Sequence, residues 1–148
     1  MTGSDGFAPD VPAPDEITAP WWEATREHRL VLQTCPRCVP RVQHPPRALC
    51  VRCGSDELDW AASEGRGIVD SFTVVHRAPR PDLAVPYVIA RVRLAEGAVL
   101  LTRLQEREPD AWRIDDPVRV AWVDLDDGRA LPVFVPDAGP SHDTEKGS

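Results

Sequence analysis

The sequence predicts a mainly β protein with a short N-terminal helix, a small cysteine ribbon and a five-stranded barrel. Four cysteines form two Cys-x-x-Cys pairs, with short apolar runs on either side of each pair. Beyond residue 63, five segments rich in β-branched and aromatic residues alternate with turn-forming sequences. The segment before the first cysteine favours a helix, because Pro20 suits a first turn and no breaker follows it.

Composition and charge narrow the range of functions. With 148 residues, of which 42% are hydrophobic, the chain is long enough for a packed core. Its net charge of −7 argues against a general nucleic-acid binder, which needs a basic surface. There is no apolar run of the roughly 20 residues that a membrane helix needs, and no signal-peptide pattern. We therefore expect a cytosolic protein with reduced thiols.

Five regions are expected along the chain. Residues 1–14 are rich in Gly and Pro and are predicted to form a disordered leader. Residues 15–29 contain the helix, with Thr18 as its N-cap. The remaining regions are the ribbon at 30–62, the barrel at 63–136 and a disordered tail at 137–148.

Two adjacent tryptophans mark the predicted helix. Trp21 and Trp22 point about 100° apart on a helix, so both cannot pack squarely against one small ribbon. We expect one indole to be buried and the other to be partly exposed or covered by a partner. Both residues are therefore candidates for a partner interface.

The cysteine spacing predicts a metal site. The segment reads C-P-R-C, eleven residues, then C-V-R-C. Each knuckle places two thiolates on one tight turn, and two facing knuckles supply the four-sulfur shell that zinc favours. Gly54 suits a knuckle that needs a positive φ, and His44 is expected to be an ordinary strand residue. The sequence therefore predicts one structural zinc ion bound by Cys35, Cys38, Cys50 and Cys53. The alternatives are iron in a rubredoxin-like site, a disulfide and free thiols.

The strand pattern after the ribbon predicts an OB-type barrel. Glu96-Gly97 and Asp127-Gly128 read as hairpin turns, and a helical turn is expected near Pro109. A long first strand, a hairpin, and an irregular link between strands three and four fit this barrel. An open five-stranded sheet is the alternative. The predicted strands are Gly67–Arg77, Tyr87–Leu94, Ala98–Leu104, Val118–Leu125 and Leu131–Val135.

Together these segments resemble a known family. The stretches WWE, RLVLQTC, CPRC, VQHPPR, CVRCGS, GRGIVDSFTVVHRAP and PYVIARVRLAEG are similar to the zinc-ribbon/OB-fold family of acyl-CoA-associated proteins, long catalogued as a domain of unknown function. The resemblance extends from about Ile17 to Pro136. It implies a rubredoxin-like zinc ribbon followed by an OB-fold.

The resemblance also implies a partner. Members of the family form hetero-oligomers with thiolase-superfamily or hydratase enzymes that act on coenzyme A thioesters. One branch pairs with thiolase-like lyases that cleave steroid side chains by a retro-aldol reaction, and another bridges thiolase and hydroxymethylglutaryl-CoA synthase in archaea. The Arg-, Ala- and Pro-rich composition with one lysine is typical of a GC-rich bacterium, which favours the steroid branch.

Arginines cluster on the predicted ribbon. The segment from Arg26 to Cys53 contains six arginines and one acid. Because arginine binds phosphate through paired hydrogen bonds, Arg41, Arg47 and Arg66 are candidate ligands of the coenzyme A phosphates. A solvated basic face and a basic face that meets an acidic partner remain alternatives.

We expect no catalytic residue. The four cysteines are assigned to metal, so no thiolase-type nucleophile is left. His76 is a candidate base, although a histidine at a strand end is more often structural or solvated. Asp70 lies about 20 Å from it along the predicted strand, which argues against a triad. The sequence thus indicates an accessory subunit. The alternative is a single-stranded nucleic-acid module, which needs exposed aromatic residues on basic strands.

Overall fold

The computed structural model describes residues 11–39 and 41–137. In these ranges the chain is mainly β, as predicted, and no helix has the length and apolar character needed to span a bilayer. The elements are α1 (Ala19–Thr25), β1 (Val31–Thr34), β2 (Val42–Gln43), β3 (Asp59–Ala62), β4 (Arg66–Val75), β5 (Tyr87–Leu94), β6 (Val99–Leu104), a 3-10 turn (Pro109–Ala111), β7 (Pro117–Asp124) and β8 (Ala130–Pro136).

The ribbon is a three-stranded antiparallel sheet in the order β2-β1-β3. In the central strand, Gln33 pairs with Gln43 on one side and with Trp60 on the other. The two Cys-x-x-Cys knuckles follow β1 and precede β3, so both lie at the same end of this sheet. The sheet therefore brings together cysteines that are far apart in sequence.

The second part is a closed barrel in the order β4-β5-β6-β8-β7, completed by pairing of β7 with β4. This closure rules out the open sheet. All pairs are antiparallel except that between β6 and β8, where Leu104 lies opposite Phe134. Five strands in this order form an OB-type barrel, and each of them overlaps a strand predicted from the sequence.

Alternation of side chains along the strands builds the core. In β5 the buried residues Val88, Ala90, Val92 and Leu94 alternate with more exposed ones, as expected when one face of a sheet is buried. One hydrophobic cluster joins barrel strands to β1 and α1. Trp112, from the link between β6 and β7, is fully buried in this cluster. The ribbon and barrel therefore share a core.

Both predicted hairpin turns are present. Gly97 has φ of 107° and Gly128 has φ of 94°, and this left-handed region favours glycine. The turn at Gly97 is closed by a hydrogen bond from its N–H to the carbonyl oxygen of Leu94. The turn at Gly128 is closed in the same way onto Leu125.

The helix differs from expectation at both ends. It ends at Thr25. Thr18 occupies the N-cap position, as predicted, but its side chain makes no capping hydrogen bond. The Thr18 hydroxyl instead pairs with Asp15, whose Oδ1 also accepts the N–H groups of Ile17 and Thr18. These hydrogen bonds stabilise the turn before α1 and lower the pKa of Asp15, chiefly through the Thr18 N–H.

Most of the predicted leader and tail lies outside the described residues, which begin at Val11 and end at Asp137. Val11 packs against the hydrophobic cluster. The carbonyl oxygen of Pro12 accepts a 2.9 Å hydrogen bond from Nη1 of Arg129. At the other end, Asp137 pairs with Arg66 on β4.

Candidate metal centre

The four cysteine sulfurs lie within 4.8 Å of one another. Sγ of Cys35 is 3.7 Å from that of Cys53, and the sulfurs of Cys38 and Cys50 are 4.0 Å apart. Tetrahedral zinc with Zn–S distances of about 2.3 Å requires sulfurs about 3.8 Å apart, so the observed spacing fits the ion. A disulfide needs about 2.05 Å, and the four thiols are free of one.

The second knuckle directs backbone N–H groups at one sulfur. Those of Arg52 and Cys53 lie 3.3 and 3.5 Å from Sγ of Cys50. They hold the pKa of Cys50 down to about 6, the Cys53 N–H contributing most. Gly54 closes the knuckle with φ of 80°, as the sequence predicted.

In the first knuckle, burial raises the pKa of the cysteine thiols. It raises the pKa of Cys35, and it raises that of Cys38 to about 12. Without a metal these two thiols therefore keep their protons at neutral pH, whereas Cys50 ionises readily. The ribbon holds one structural zinc through all four sulfurs. Because four protein ligands leave no open coordination position, the site contributes folding energy and no Lewis-acid chemistry.

A pair of glutamines supports the centre. The side-chain amide of Gln33 donates to the carbonyl oxygen of Arg47, and its Oε1 accepts the Arg47 N–H. Gln43 donates to Gln33 and to the carbonyl oxygen of Leu49, and accepts the N–H of Val51. These bonds fix the loop that leads into the second knuckle. Sequence reasoning missed both residues, although a glutamine in the run RLVLQTC was a signal.

The tryptophans correct one expectation. Both are buried within the chain itself, Trp21 at 9% exposure and Trp22 at 8%, so the expectation that one indole is partly exposed is wrong. Trp21 faces His44 and a pocket of about 310 Å³ beside β6 and β8. Trp22 lies under the guanidinium of Arg129, 4.5 Å from its ring centre. The two indoles contact different neighbours, because the helix lies between ribbon and barrel.

The three candidate phosphate ligands fall into two groups. Arg41 and Arg47 are exposed on the ribbon. Arg66 starts β4, and its guanidinium pairs with Asp137 at 3.3 Å. His44 is not near enough to the sulfurs to join the cysteine group. Burial lowers its pKa to about 4, so it is neutral at pH 7.

The candidate residues His76 and Asp70 are not paired with each other. His76 is exposed just after β4. Asp70 instead binds Arg93 and Arg91. At the hairpin tip, Asp127 accepts hydrogen bonds from the side chain and the backbone of Arg129, and these bonds lower the pKa of Asp127. Asp124 contacts His28 at 2.7 Å. These carboxylates stabilise turns and strand contacts.

The aromatic residues of the barrel are covered. Trp112 and Phe134 are fully buried, and Phe72 packs against the core. Trp122 stacks on His28 with ring centres 5.4 Å apart, and Arg103 lies over Tyr87. The described barrel therefore offers no row of bare aromatic rings.

Fold and metal centre together define a zinc-ribbon/OB-fold protein. Two family models match it: the rubredoxin-like zinc ribbon domain of ChsH2 over residues 22–59, and the C-terminal OB-fold domain of ChsH2 over residues 60–123. The chain belongs to this ChsH2 family, as the sequence resemblance indicated.

Known proteins are similar over most of this chain. A chain of a solved "Ltp2-ChsH2(DUF35) aldolase" is 40% identical, with a TM-score of 0.77, and the match covers 85% of this chain and 98% of that one. A "DUF35 domain-containing scaffold protein" of Pyrococcus furiosus is 30% identical over 66% of this chain and 71% of its own length.

Two further relatives are much longer proteins. The probable enoyl-CoA hydratase alpha subunit of Thermomonospora curvata is 41% identical, and the 3-oxo-4,17-pregnadiene-20-carboxyl-CoA hydratase alpha subunit of Mycobacterium tuberculosis is 34% identical. Each match covers 84% of this chain. The chain spans only 39% and 42% of the respective lengths of these relatives.

Proposed function

We propose that this chain is a non-catalytic, zinc-binding accessory subunit of a thiolase-superfamily enzyme that acts on acyl-CoA thioesters. The reaction we assign to the complex is a retro-aldol cleavage in steroid side-chain degradation. The observation that carries the proposal is the match to nearly the full length of one chain of the Ltp2-ChsH2(DUF35) aldolase.

The chemistry of the chain agrees with an accessory role. Its four thiols form one closed metal shell, so they are not available as nucleophiles. The name of the Mycobacterium tuberculosis relative specifies a steroid-type CoA thioester, which supports the substrate class. The name of the Pyrococcus furiosus relative describes a scaffold, which supports a role in assembly.

A single-stranded nucleic-acid module is the competing function. Such modules stack bases on exposed aromatic rings in a basic groove. Here the barrel aromatics are buried or covered, as shown for Trp112, Trp122 and Tyr87. The net charge of −7 also opposes binding to phosphate backbones. We therefore favour the accessory subunit.

Two further assignments belong to this proposal. Reduced cysteine thiolates are needed for the zinc centre, which supports a cytosolic location. Arg41 and Arg47 have exposed guanidinium groups that are suited to the phosphates of coenzyme A. Arg66 is less suited, because it pairs with Asp137.

Co-purification tests the proposal. A tagged chain expressed in its native host is expected to bring down a thiolase-like enzyme in a fixed ratio, identified by mass spectrometry. The purified pair is then assayed for retro-aldol cleavage of steroid acyl-CoA thioesters, beside each protein alone. Activity that requires the thiolase-like protein supports the proposal. Isolation of the chain without such an enzyme, or on single-stranded nucleic acid, refutes it.

A further inference from the structure

Four exposed arginines lie on the ribbon, in a segment without acidic residues. Several barrel arginines, among them Arg91, Arg93, Arg107 and Arg129, are paired with carboxylates. The exposed Arg77 and Arg119 pair with no carboxylate of the described residues. On the ribbon, no carboxylate of the described residues pairs with the exposed side chains of Arg37, Arg41, Arg47 and Arg52. The sequence accounts for the missing partners on the ribbon, because no Asp or Glu occurs between Glu27 and Asp56.

Large apolar side chains are exposed at the same end of the ribbon. Val39 is 67% exposed, Leu49 50% and Val51 63%. Val39 directly follows Cys38, while Leu49 and Val51 flank Cys50, and the sulfurs of these two cysteines are 4.0 Å apart. The three apolar and four arginine residues thus all lie within three positions of a metal-binding cysteine. We name this surface the ribbon tip.

Side-chain hydrogen bonds anchor part of the ribbon tip to the sheet. Gln33 ties the backbone of Arg47 to β1, and Gln43 ties the backbone of Leu49 and Val51 to β2. The zinc centre fixes the knuckles beside them. A surface ordered in advance loses little conformational entropy when it binds, which suits it to an interface.

The positive charge of the four arginines is larger than the negative charge of the metal centre. A divalent ion with four thiolates carries two negative charges. Four arginines around it carry four positive charges, so the ribbon tip remains cationic once zinc is bound. A cationic rim around apolar side chains is complementary to an apolar patch with an acidic rim.

We propose that the ribbon tip is the surface on which this chain docks the thiolase-like subunit, through an acid-rimmed apolar patch of that subunit. This inference rests on the proposed function, and it assigns Arg41 and Arg47 to the partner in place of the coenzyme A phosphates. The apolar side chains supply desolvated contact area, and the arginines orient and accelerate the encounter. Exposed apolar residues beside unpaired cations would otherwise face water on a chain that is acidic as a whole.

The test uses the thiolase-like subunit that co-purifies with the chain, produced separately as a pure protein. Its affinity is measured by biolayer interferometry for the wild type, for Arg41→Glu/Arg47→Glu and for Leu49→Ser/Val51→Ser. Matched controls on the barrel are Arg77→Glu/Arg119→Glu and Leu101→Ser/Ile114→Ser, which change residues that are likewise exposed. Zinc content and thermal melting confirm that every variant is folded.

Docking by the ribbon tip predicts a loss of about tenfold or more in affinity for both ribbon variants, and about twofold or less for the controls. The charge variant loses association rate, and raising NaCl from about 50 to about 300 mM weakens the wild type far more than this variant.

Equal binding by ribbon and control variants overturns the inference and leaves the accessory function standing. Failure of the wild type to bind any thiolase-like enzyme refutes the proposed function itself. Two other results overturn docking by the ribbon tip. One is that the wild type self-associates and the ribbon variants abolish this self-association. The other is that coenzyme A alone binds the wild type, and that Arg41→Glu/Arg47→Glu abolishes this binding but keeps the affinity for the partner.

Discussion

The side chain of Gln33 forms two 2.9 Å hydrogen bonds with the backbone of Arg47, one to its carbonyl oxygen and one from its N–H. Gln33 is only 4% exposed. One buried side chain on β1 thus satisfies both backbone groups of a residue that lies three positions before the second knuckle. This relationship couples the central ribbon strand to the metal centre.

We therefore expect Gln33→Leu to destabilise the ribbon by about 2–3 kcal/mol, because it leaves both backbone groups of Arg47 without their buried partner. Urea unfolding of the zinc-loaded protein measures the loss, and zinc release to a chelator should be faster. Gln105→Ala is the control, because Gln105 bonds to Phe134 through its backbone N–H and not through its side chain. Equal stability of the two variants would contradict this role of the Gln33 side chain.

The metal centre predicts both composition and proton release. Elemental analysis should give about one zinc per chain, and Cys35→Ser or Cys53→Ser should unfold the ribbon, because binding and folding are coupled. The raised pKa of Cys35 and of Cys38 means that zinc uptake near pH 7 displaces their protons. Release can be followed with a pH indicator in weak buffer. A ribbon that stays fully folded without metal in reducing buffer would refute this prediction.

His44 should make stability depend on pH. Its folded-state pKa of about 4 lies below the ordinary value of 6.5, so the unfolded chain binds a proton more readily. Stability is therefore full above about pH 6.5 and falls as the pH drops towards 4. Between pH 7 and pH 5 the expected loss is about 2 kcal/mol, measured by urea unfolding. His44→Gln should reduce this loss, and His76→Gln, an exposed histidine, should not.

The buried tryptophans predict a stability effect and separate it from an interface effect. Trp21→Ala and Trp22→Ala should each cost about 3–5 kcal/mol, because both remove a large buried side chain. A role of either indole in the partner interface stays a prediction, with an expected loss of about 2 kcal/mol or more in assembly. If thermal stability falls in both variants and partner affinity in neither, the helix serves internal packing alone.

The isolated chain should not turn over acyl-CoA thioesters, since its four thiols are committed to one metal shell. Thioester consumption by the purified protein is measured with and without the thiolase-like subunit. His76→Ala should leave the activity of the complex unchanged, because His76 is exposed and outside the metal centre. Turnover by the chain alone, after contaminating partner is excluded, would contradict this prediction.

The sequence by itself determined the elements with a local signal. Cysteine spacing specified the zinc centre, because two Cys-x-x-Cys knuckles are a short-range pattern that only a few structures satisfy. Alternation in Tyr87–Leu94 and the Asp127-Gly128 turn specified strands and hairpins for the same reason. The number and length of these elements favoured an OB-type barrel over an open sheet, and the closed barrel confirms this prediction.

Only the tertiary structure decided what depends on distant contacts. Trp21 and Trp22 are both buried because ribbon and barrel enclose the helix from two directions, and no local pattern shows this. Likewise, the Thr18 side chain bonds to Asp15 instead of capping the helix, a competition between two local hydrogen bonds that sequence propensity does not resolve. The pairing of Arg93 with Asp70 and of Arg107 with Asp116 also appeared only once the carboxylates had positions, because ion pairing requires charges within about 4 Å.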